Sequence, residues 1–293
     1  MTPGPHLAIV ITTYDVRELL LRCLDSLEDA VGSLRIEVVV IDNGFRDDSW
    51  QALLKRDDVR AVRGSTYLGF GGANNIGAEV TQAPLVLFLN PDTEAEPDSI
   101  ELLTQTLLCR SDVAVAGPFL YLEGECLDPA ARRNFPSPIS AIHRFLGAPR
   151  ALGKLVARPY NEPCTEGCEV DVVDAVSGAC LLVRRKAFEE VGGFDPRYFM
   201  YGEDLDLQRR LADRGWRALY VPAARVRHWK RKSSRQRPLR TRFEFYRSMW
   251  LYYHTHHIND PFLVRTSVSV GIFVFGAAAM LRRLFVLVRQ SGL

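Results

Sequence analysis

The stretch LVLFLNPD at residues 85–92 decides the fold that we predict for this chain. Five apolar residues in a row, followed by a polar residue and a proline, are typical of a short strand buried on both faces of an α/β sheet. Ligands of open parallel sheets bind beyond the carboxyl ends of the strands, and this strand would bring Asp92 to that edge. Because Asn-Pro-Asp is also an ordinary turn sequence, the stretch by itself leaves a binding site and a plain turn open.

Short apolar runs alternate with helical patterns on both sides of this stretch. The alternation predicts further strands at residues 7–13, 36–41, 59–63 and 113–117, and helices at about residues 18–27, 47–55, 69–77 and 98–108. Strands that alternate with helices in this way indicate a doubly wound, mostly parallel sheet flanked by helices. We therefore predict an α/β fold.

The pattern becomes irregular after residue 117. Six prolines between residues 123 and 169 predict an irregular insertion around a short helix near residues 139–146. Long irregular segments in compact domains are often binding loops. Regular structure is predicted to return with strands near residues 170–175, 179–183 and 217–221, and with helices near residues 186–191, 203–214 and 240–256.

The composition limits the function classes. The chain has 293 residues, 47% of them hydrophobic and 25% charged, which fits one large α/β domain with appendages or two small domains. A formal net charge of +2 is no nucleic-acid signature, so we expect no nucleic-acid partner. The six cysteines lack zinc-site spacing, which favours reduced thiols in a cytosolic protein. No basic start followed by an apolar run is visible at the N-terminus, so we expect no signal peptide.

Two segments near the C-terminus suggest contact with anions or lipids. Residues 225–242 contain nine basic residues and no acid, a pattern that suits a solvated loop, a membrane-surface patch or a phosphate clamp. Residues 266–281 form an uncharged apolar run of 16 residues, whereas a spanning helix needs ~20. We expect this run to lie in a membrane interface. The alternatives are packing on the domain or on a second subunit of a homodimer.

Four titratable side chains stand at predicted strand or helix ends. Asp42 ends one central strand and could accept the ring N–H of a pyrimidine base, and Asp92 could hold a divalent metal. Asp204, which follows Glu203 at a helix start, is placed to remove a proton from an acceptor hydroxyl. His228 at a strand end could be a second metal ligand or a phosphate contact. Each of these residues by itself could be a turn former, a helix-start acid or a surface residue. The four together favour a functional site.

In combination these motifs resemble the inverting glycosyltransferases of family 2, which have the nucleotide-binding GT-A fold. The branch that includes bacterial rhamnosyltransferases is the most similar, and the resemblance covers residues 7–228. The matching segments are VITTY at 10–14, VVIDN at 39–43, LGFGGANNIG at 68–77, FLNPD at 88–92, SGA at 177–179, GGFD at 192–195, FMYGEDLDL at 199–207 and the strand at 222–228.

The resemblance implies a set of site residues. The metal ligands would be Asp92 and His228, holding Mg²⁺ or Mn²⁺, and the catalytic residues Asp204 as general base with Glu203 beside it. Asn90 replaces the first Asp of the usual metal motif, so we expect weaker metal affinity than at a two-Asp site. The implied nucleotide-binding residues are Thr12, Tyr14, Asp42, Asn43, Gly71, Asn75, Asn90, Lys230 and Arg231.

The resemblance also implies a reaction, a single displacement with inversion at the anomeric carbon. The donor would be dTDP-L-rhamnose, with a UDP-hexose as the alternative, and the acceptor a glycan or a polyprenyl-diphosphate-linked sugar of surface polysaccharide synthesis. Arg132 and Arg133 would suit such an anionic lipid acceptor. The enzyme would act in the cytoplasm, peripherally on the inner face of the cell membrane.

The implied organisation is a catalytic domain at residues 1–228, with a donor half at about 1–117 and an acceptor half at about 118–228. Residues 229–293 would form a basic lid segment and C-terminal helices with membrane association. Two other classes remain open. A nucleotidyltransferase on a similar sheet would need a Gly-rich basic loop after the first strand, where TTYD stands at 12–15. A scaffold protein without turnover would retain the fold alone.

Overall fold

The computed structural model describes residues 4–44, 47–64, 68–137, 160–161, 169–230 and 238–290. The short helix predicted near 139–146, most of the proline-rich insertion, Cys164, Cys168 and Arg231 lie outside these residues. The strands are β1 (Leu7–Thr13), β2 (Ile36–Asp42), β3 (Val59–Arg63), β4 (Leu85–Leu89), β5 (Thr93–Ala95), β6 (Val113–Tyr121), β7 (Arg132–Arg133), β8 (Asp171–Val173), β9 (Ala175–Val176), β10 (Cys180–Arg184) and β11 (Arg217–His228). The helices are α1 (Arg17–Ala30), α2 (Ser49–Leu53), α3 (Gly69–Glu79), α4 (Ser99–Leu108), α5 (Arg185–Glu190), α6 (Glu203–Ala212), α7 (Pro238–His256) and α8 (Phe262–Gln290).

Among the described residues, nine strands form one sheet in the order β3-β2-β1-β4-β10-β6-β11-β5, with β8 beside β11. The first four of these are mutually parallel. β10 runs antiparallel to both β4 and β6, and β6 runs parallel to β11. Six strands therefore point one way, with β10, β5 and β8 reversed. The predicted α/β fold with a mostly parallel sheet is confirmed.

The central strand β4 lies where the quoted stretch predicts it. All five of its side chains are at most 3% exposed, because β1 pairs on one side and β10 on the other. β1 is as deeply buried, which explains why it also begins with five apolar residues in a row. Their carboxyl ends, and that of β2, open at one edge of the sheet.

β11 is longer than the predicted strand at 217–221. It continues to His228 through a register irregularity between Val221 and Arg225, where Pro222 stands. A proline cannot donate to the sheet ladder, so an irregularity at this point is expected. The extension pairs His228 with Thr93 of β5 and so brings His228 beside the loop that carries Asp92.

The basic run is divided among different elements. Arg225 and Arg227 belong to β11, where Arg225 lies 3.2 Å from Glu96 and Arg227 stacks 3.8 Å from the centre of the Trp229 ring. Residues 238–242 begin α7. Residues 231–237, the middle of the predicted lid, lie outside the described residues.

The two C-terminal helices pack on each other, and α7 also packs on α6 and the segment before it. Leu251 and Tyr252 of α7 share a buried cluster with Tyr198 and with Leu205 of α6. α8 is much longer than the predicted apolar run, because the arginines that flank the run continue the helix. Its residues Phe262–Phe285 have a mean hydropathy of 1.7 and are long and apolar enough to cross a membrane by length and composition.

Candidate active site

The carboxyl ends of β1 and β2 form one corner of the site. Asp42 closes β2 and is 7% exposed, and its Oδ1 accepts a hydrogen bond of 2.8 Å from the backbone N–H of Gly44. Its Oδ2 lies 3.6 Å from Nε of Arg63, at the end of the neighbouring β3. The hydroxyl of Thr12 donates to Oδ1 of Asn74 at 3.1 Å. Asp42 and Thr12 therefore stand at the predicted edge of the sheet.

Asn43 and Tyr14 follow the same two strands. Oδ1 of the buried Asn43 accepts the backbone N–H of Leu68 at 3.0 Å, and its Nδ2 donates to the carbonyl of Gly69 at 3.2 Å. Asn43 thereby fixes the beginning of α3. The ring of Tyr14 lies against Gly44. The structure gives Asn43 a structural role, and contact of either residue with a nucleotide stays a prediction.

Gly71 and Asn75 hold a distant segment against α3. A Cβ atom at Gly71 would lie 3.0 Å from Cβ of Phe194, which is closer than most such contacts. Asn75 donates to the carbonyl of Phe194 at 2.8 Å and accepts its N–H at 2.9 Å. Both residues thus serve the docking of residues 192–195, and their predicted nucleotide contacts also stay predictions.

The loop after β4 is tied to the beginning of β10. The backbone N–H of Asn90 donates to the carbonyl of Ala179 at 2.9 Å, and the carbonyl of Asn90 accepts the Thr93 hydroxyl at 2.7 Å. Asp92 lies inside this turn and is 7% exposed. Because β10 is antiparallel to β4, residues 178–180 stand at the same edge as Asp92.

A buried cluster surrounds Asp92 and His228. Nε2 of His228 lies 3.4 Å from Oδ1 of Asp92, and Nδ1 lies 3.0 Å from Oδ2 of Asp128. The other oxygen of Asp128 accepts from Lys230 at 2.7 Å and from the backbone N–H of Ala130 at 2.9 Å. Asp128 is fully buried. It therefore fixes the orientation of His228 so that Nε2 faces Asp92.

The charges of this cluster balance in the absence of a metal. Burial lowers the pKa of His228, but the hydrogen bonds and charges of Asp128 and Asp92 outweigh it and raise the pKa to about 9. Burial raises the pKa of Asp128, and its hydrogen bonds with His228 and Lys230 hold it well below the usual range. The imidazole therefore carries a proton at neutral pH, and a metal ion on Nε2 would replace that proton.

The donor set fits a divalent metal that completes its coordination elsewhere. A carboxylate oxygen and an imidazole nitrogen 3.4 Å apart, with the imidazole oriented by a second carboxylate, are a common pair of metal ligands. Across the described ranges no group of three His, Cys, Asp or Glu side chains converges as a ready metal site. A metal held by Asp92 and His228 would therefore take its other ligands from diphosphate oxygens and water.

The predicted base stands at the start of α6. Oδ2 of Asp204 accepts from Nη2 of Arg133 at 2.5 Å and from the backbone N–H of Gly178 at 2.7 Å, and Oδ1 accepts the N–H of Leu205 at 2.8 Å. Oε2 of Glu203 has no hydrogen-bond partner among the described residues. Burial, and then the charge of Asp204, raises the pKa of Glu203 to about 8. Two adjacent acids thus share one guanidinium.

Two residues of the site escaped the sequence reasoning. Asp128 lies in an irregular segment with no periodicity, and a buried Asp there looks like any Asp-Pro turn. Arg133 was expected with Arg132 to attract an anionic lipid acceptor. Instead Arg133 is 7% exposed and bonded to Asp204, because burial of that carboxylate calls for a paired cation. Lys230 donates from its ammonium group to Asp128, and its predicted contact with the nucleotide stays a prediction.

The site can be compared with known proteins. The family model described as "Glycosyltransferase like family 2" matches residues 3–243. An N-acetylglucosaminyl-diphospho-decaprenol L-rhamnosyltransferase of Mycobacterium tuberculosis is 34% identical over 266 residues, which cover 86% of this chain and 85% of the relative. The rhamnosyltransferase WbbL of Escherichia coli strain K12 is 33% identical over 183 residues, covering 59% of this chain and 65% of the relative.

Solved structures with the same fold have much lower sequence identity. GalNAc-T7 with UDP, GalNAc and Mn²⁺ aligns with a TM-score of 0.60 at 17% identity, over 79% of this chain and 45% of that one. The mannosyltransferase PcManGT from Pyrobaculum calidifontis, in complex with GDP-Man and Mn²⁺, aligns with a TM-score of 0.57 at 16% identity, over 99% of this chain and 76% of that one. Both were crystallised with Mn²⁺, which agrees with a divalent metal in this fold.

The family match covers most of the chain, the mycobacterial relative aligns over 85% of its length, and the solved structures share the overall fold. This chain therefore belongs to glycosyltransferase family 2, has the GT-A fold, and is a glycosyltransferase.

Proposed function

We propose that this enzyme transfers L-rhamnose from dTDP-L-rhamnose, with inversion, to a hydroxyl of a lipid-linked glycan in surface polysaccharide synthesis. The observation that carries the proposal is the arrangement of one edge of the sheet. A metal-type pair, Asp92 and His228, stands beyond the end of β4, and a buried acid, Asp204, accepts from Gly178 just before β10, the strand that pairs with β4. The sugar and the acceptor class are supported by the names of the two relatives, both rhamnosyltransferases.

The metal side would bind the donor. Asp92 and His228 would hold Mg²⁺ or Mn²⁺, which when bound stabilises negative charge on the leaving diphosphate. Asp128 keeps Nε2 of His228 directed to Asp92, so the ligand geometry exists before the metal arrives. Asp42, Thr12 and the neighbouring predicted residues would contact the nucleoside. Lys230, with Arg231, would approach the diphosphate once the ammonium group leaves Asp128.

The base side would activate the acceptor. Asp204 would accept the proton of the attacking hydroxyl, and the acceptor oxygen would bond to the anomeric carbon as the bond to the diphosphate breaks. One displacement needs no enzyme nucleophile, so the anomeric configuration inverts. The hydrogen bonds from Arg133, Gly178 and Leu205 leave Asp204 one fixed orientation.

The C-terminal helices would hold the enzyme at the cytoplasmic face of the membrane. α8 exposes large apolar side chains, among them Phe262 and Phe273 at 78% each, and carries Arg265, Arg282 and Arg283 but no acid. Such a helix suits an interface that contains anionic lipids. A lipid-linked acceptor, named for the mycobacterial relative, would reach the site from this side. Burial of the same face in a homodimer is the competing outcome.

The proposed domain division places the site at a junction. Asp92 belongs to the donor half at about 1–117, whereas Asp128 and His228 belong to the acceptor half at about 118–228. Each half thus supplies part of the metal pair. Residues 229–293 would form the lid segment and the membrane-facing helices, although the buried cluster that Tyr252 shares with Leu205 joins α7 to the catalytic domain.

A thermal-shift screen followed by a transfer assay tests this function. The purified chain is heated with dTDP-rhamnose, UDP-glucose, UDP-galactose or GDP-mannose, each with Mn²⁺ and with EDTA, because a ligand that binds the native state raises the melting temperature. We expect a shift with dTDP-rhamnose that requires Mn²⁺. The variant Asp92→Asn should lose it, and Glu94→Gln, two residues further on, should keep it.

Transfer to a polyprenyl-diphosphate-linked N-acetylglucosamine is then followed by NMR of the anomeric proton. We expect a product of inverted configuration. A metal-dependent shift with UDP-hexoses alone would replace the donor but keep the enzyme class. Folded protein that binds no donor and transfers no sugar would contradict the proposal and favour a scaffold.

A further inference from the structure

Two adjacent arginines on β7 have different environments. Successive side chains of a strand point to opposite faces. Arg132 lies near the surface, 2.7 Å from Asp171 and 5.8 Å from the centre of the Tyr220 ring. Arg133 points inward, is 7% exposed, and meets Asp204. A buried cation is costly, so its position requires a specific partner.

The contacts of Arg133 join β9 to α6. Its Nη2 donates to Oδ2 of Asp204 at 2.5 Å and to the carbonyl of Val176 at 2.6 Å. Gln208, one turn along α6, also binds Val176, accepting its N–H at 2.8 Å and donating to its carbonyl at 2.9 Å. A Cβ atom at Gly178 would come within 3.0 Å of Oδ2 of Asp204. Asp204 is therefore held from two sides with no room to turn.

The charges around Asp204 are unequal. On its own helix stand Glu203 and Asp206, and burial together with the negative charges of Asp204 and Asp206 raises the pKa of Glu203. From β7, Arg133 meets Asp204. Burial lowers the pKa of that guanidinium, but the charges of Asp204 and Tyr160 outweigh burial and raise it. Asp206 is paired elsewhere, with Arg210 at 2.6 Å and with His256 of α7 at 2.8 Å. Glu203 has no ion-pair partner within the described residues. One cation thus serves two neighbouring acids, and only one of them touches it.

We propose that Arg133 is a positioning residue that selects Asp204, rather than Glu203, as the ionised acid of the pair and fixes its orientation for proton transfer. The proposal rests on the proposed function, in which Asp204 is the base. An opposite charge at hydrogen-bond distance favours the ionised form of a carboxyl, and a negative neighbour then favours the neutral form of the second. The raised pKa of Glu203, about 8, agrees with a proton on Glu203 at neutral pH.

The test compares Arg133→Gln with the control Arg214→Gln, an exposed arginine beyond the end of α6 that lies 3.5 Å from Glu190, by the pH dependence of kcat/KM of the whole chain. Without the guanidinium, the proton distributes over both acids, so the acid-side loss of activity should move to higher pH. At pH 6.5 we expect a loss of about 10²-fold for Arg133→Gln, within the usual contribution of a general base, with recovery toward pH 8.5. Arg214→Gln should stay within about twofold of wild type, since an exposed ion pair contributes little.

Arg133→Lys is the second variant, for the case in which Arg133→Gln does not fold. Lysine keeps the charge but not the planar pair of donors, so kcat should fall with an unchanged donor KM and a smaller displacement of the pH profile. An unchanged profile, or a uniform loss at every pH, would overturn the proposal. Wild-type enzyme without transfer would overturn the proposed function as well, whereas active wild type, inactive Asp204→Asn and an unshifted Arg133→Gln profile would overturn this inference alone.

Discussion

The two sides of the site both bury two carboxylates, but they differ in how many cations balance the negative charge. The metal side buries Asp92 and Asp128 with two cationic partners, His228 and Lys230. The base side buries Asp204 and Glu203 with one, Arg133. On the metal side the two cations balance the negative charge of the two carboxylates, an arrangement that suits the proposed metal coordination. On the base side burial and the excess negative charge raise the pKa of Glu203, so the difference agrees with the proposed metal-binding and proton-transfer roles of the two sides.

The first prediction breaks the base side alone. Asp204→Asn should lower kcat for transfer by about 10³-fold, because an amide cannot accept the hydroxyl proton. The metal-dependent thermal shift with donor should persist, because the metal side is unchanged. Steady-state kinetics and the thermal shift are measured on the same preparation. Asp213→Asn, an exposed acid just past the end of the same helix, is the control. Loss of donor binding in Asp204→Asn would mean that the two sides are not separable.

The second prediction weakens the metal side through its orienting residue. Asp128→Asn should lower the apparent Mn²⁺ affinity about 10- to 100-fold, because His228 loses the carboxylate that orients its ring. Titration of Mn²⁺ into the donor thermal-shift assay measures this effect, and saturating metal should restore most of the transfer rate. The exposed Glu123→Gln nearby should leave the affinity unchanged. Equal Mn²⁺ affinities in wild type and Asp128→Asn would remove Asp128 from the site.

The third prediction concerns stability and pH on the base side. The pKa of Glu203 is raised from 4.5 to about 8, so the folded state binds more protons than the unfolded state between these values. Wild-type stability should therefore fall, relative to Glu203→Gln, as the pH rises from about 4.5 to about 8, and the difference should level off above pH 8.

The expected relative loss is on the order of 2 kcal/mol, less than the full shift would give because the two acids titrate together. Urea unfolding of both proteins at pH 5 and pH 8.5 measures it. The exposed Glu189→Gln should follow wild type at both pH values. If the free energies of unfolding of Glu203→Gln and wild type differ by the same amount at both pH values, Glu203 is not protonated in the folded state.

The smallest predicted effect lies outside both sides of the site. Phe273 of α8 is 78% exposed, so Phe273→Ser should cost little stability. If α8 lies in the membrane, the variant should bind vesicles of anionic phospholipid roughly three- to tenfold more weakly, since one aromatic side chain leaves the interface. Flotation measures the bound fraction, and Leu54→Ser, at an exposed apolar position just past the end of α2, is the control. Unchanged flotation together with dissociation of a dimer would assign the face to a second subunit.

Local patterns predicted much of the fold. The sequence predicted β1 and β4 as buried strands, because both strands pair on both edges and are buried on both faces. Nearly every residue in them is therefore in an apolar environment, and the sequence shows an apolar run. The antiparallel direction of β10 was not predictable, because a buried strand reads alike in either direction. The apolar pattern predicted β11 too short, because the second half of the strand carries polar side chains. There β11 pairs with the short edge strand β5.

The sequence by itself determined that acids and a histidine end particular strands and helices, and through its motifs it determined the family. The position of a residue at the end of a strand or helix is local information, because it follows from the direction of the chain and from the periodicity of the apolar residues. Only the tertiary structure decided that Asp128 orients His228 and that Arg133, not Arg132, meets Asp204. Pairing of buried charges depends on which distant groups share a low-dielectric space, and no spacing along the chain records that.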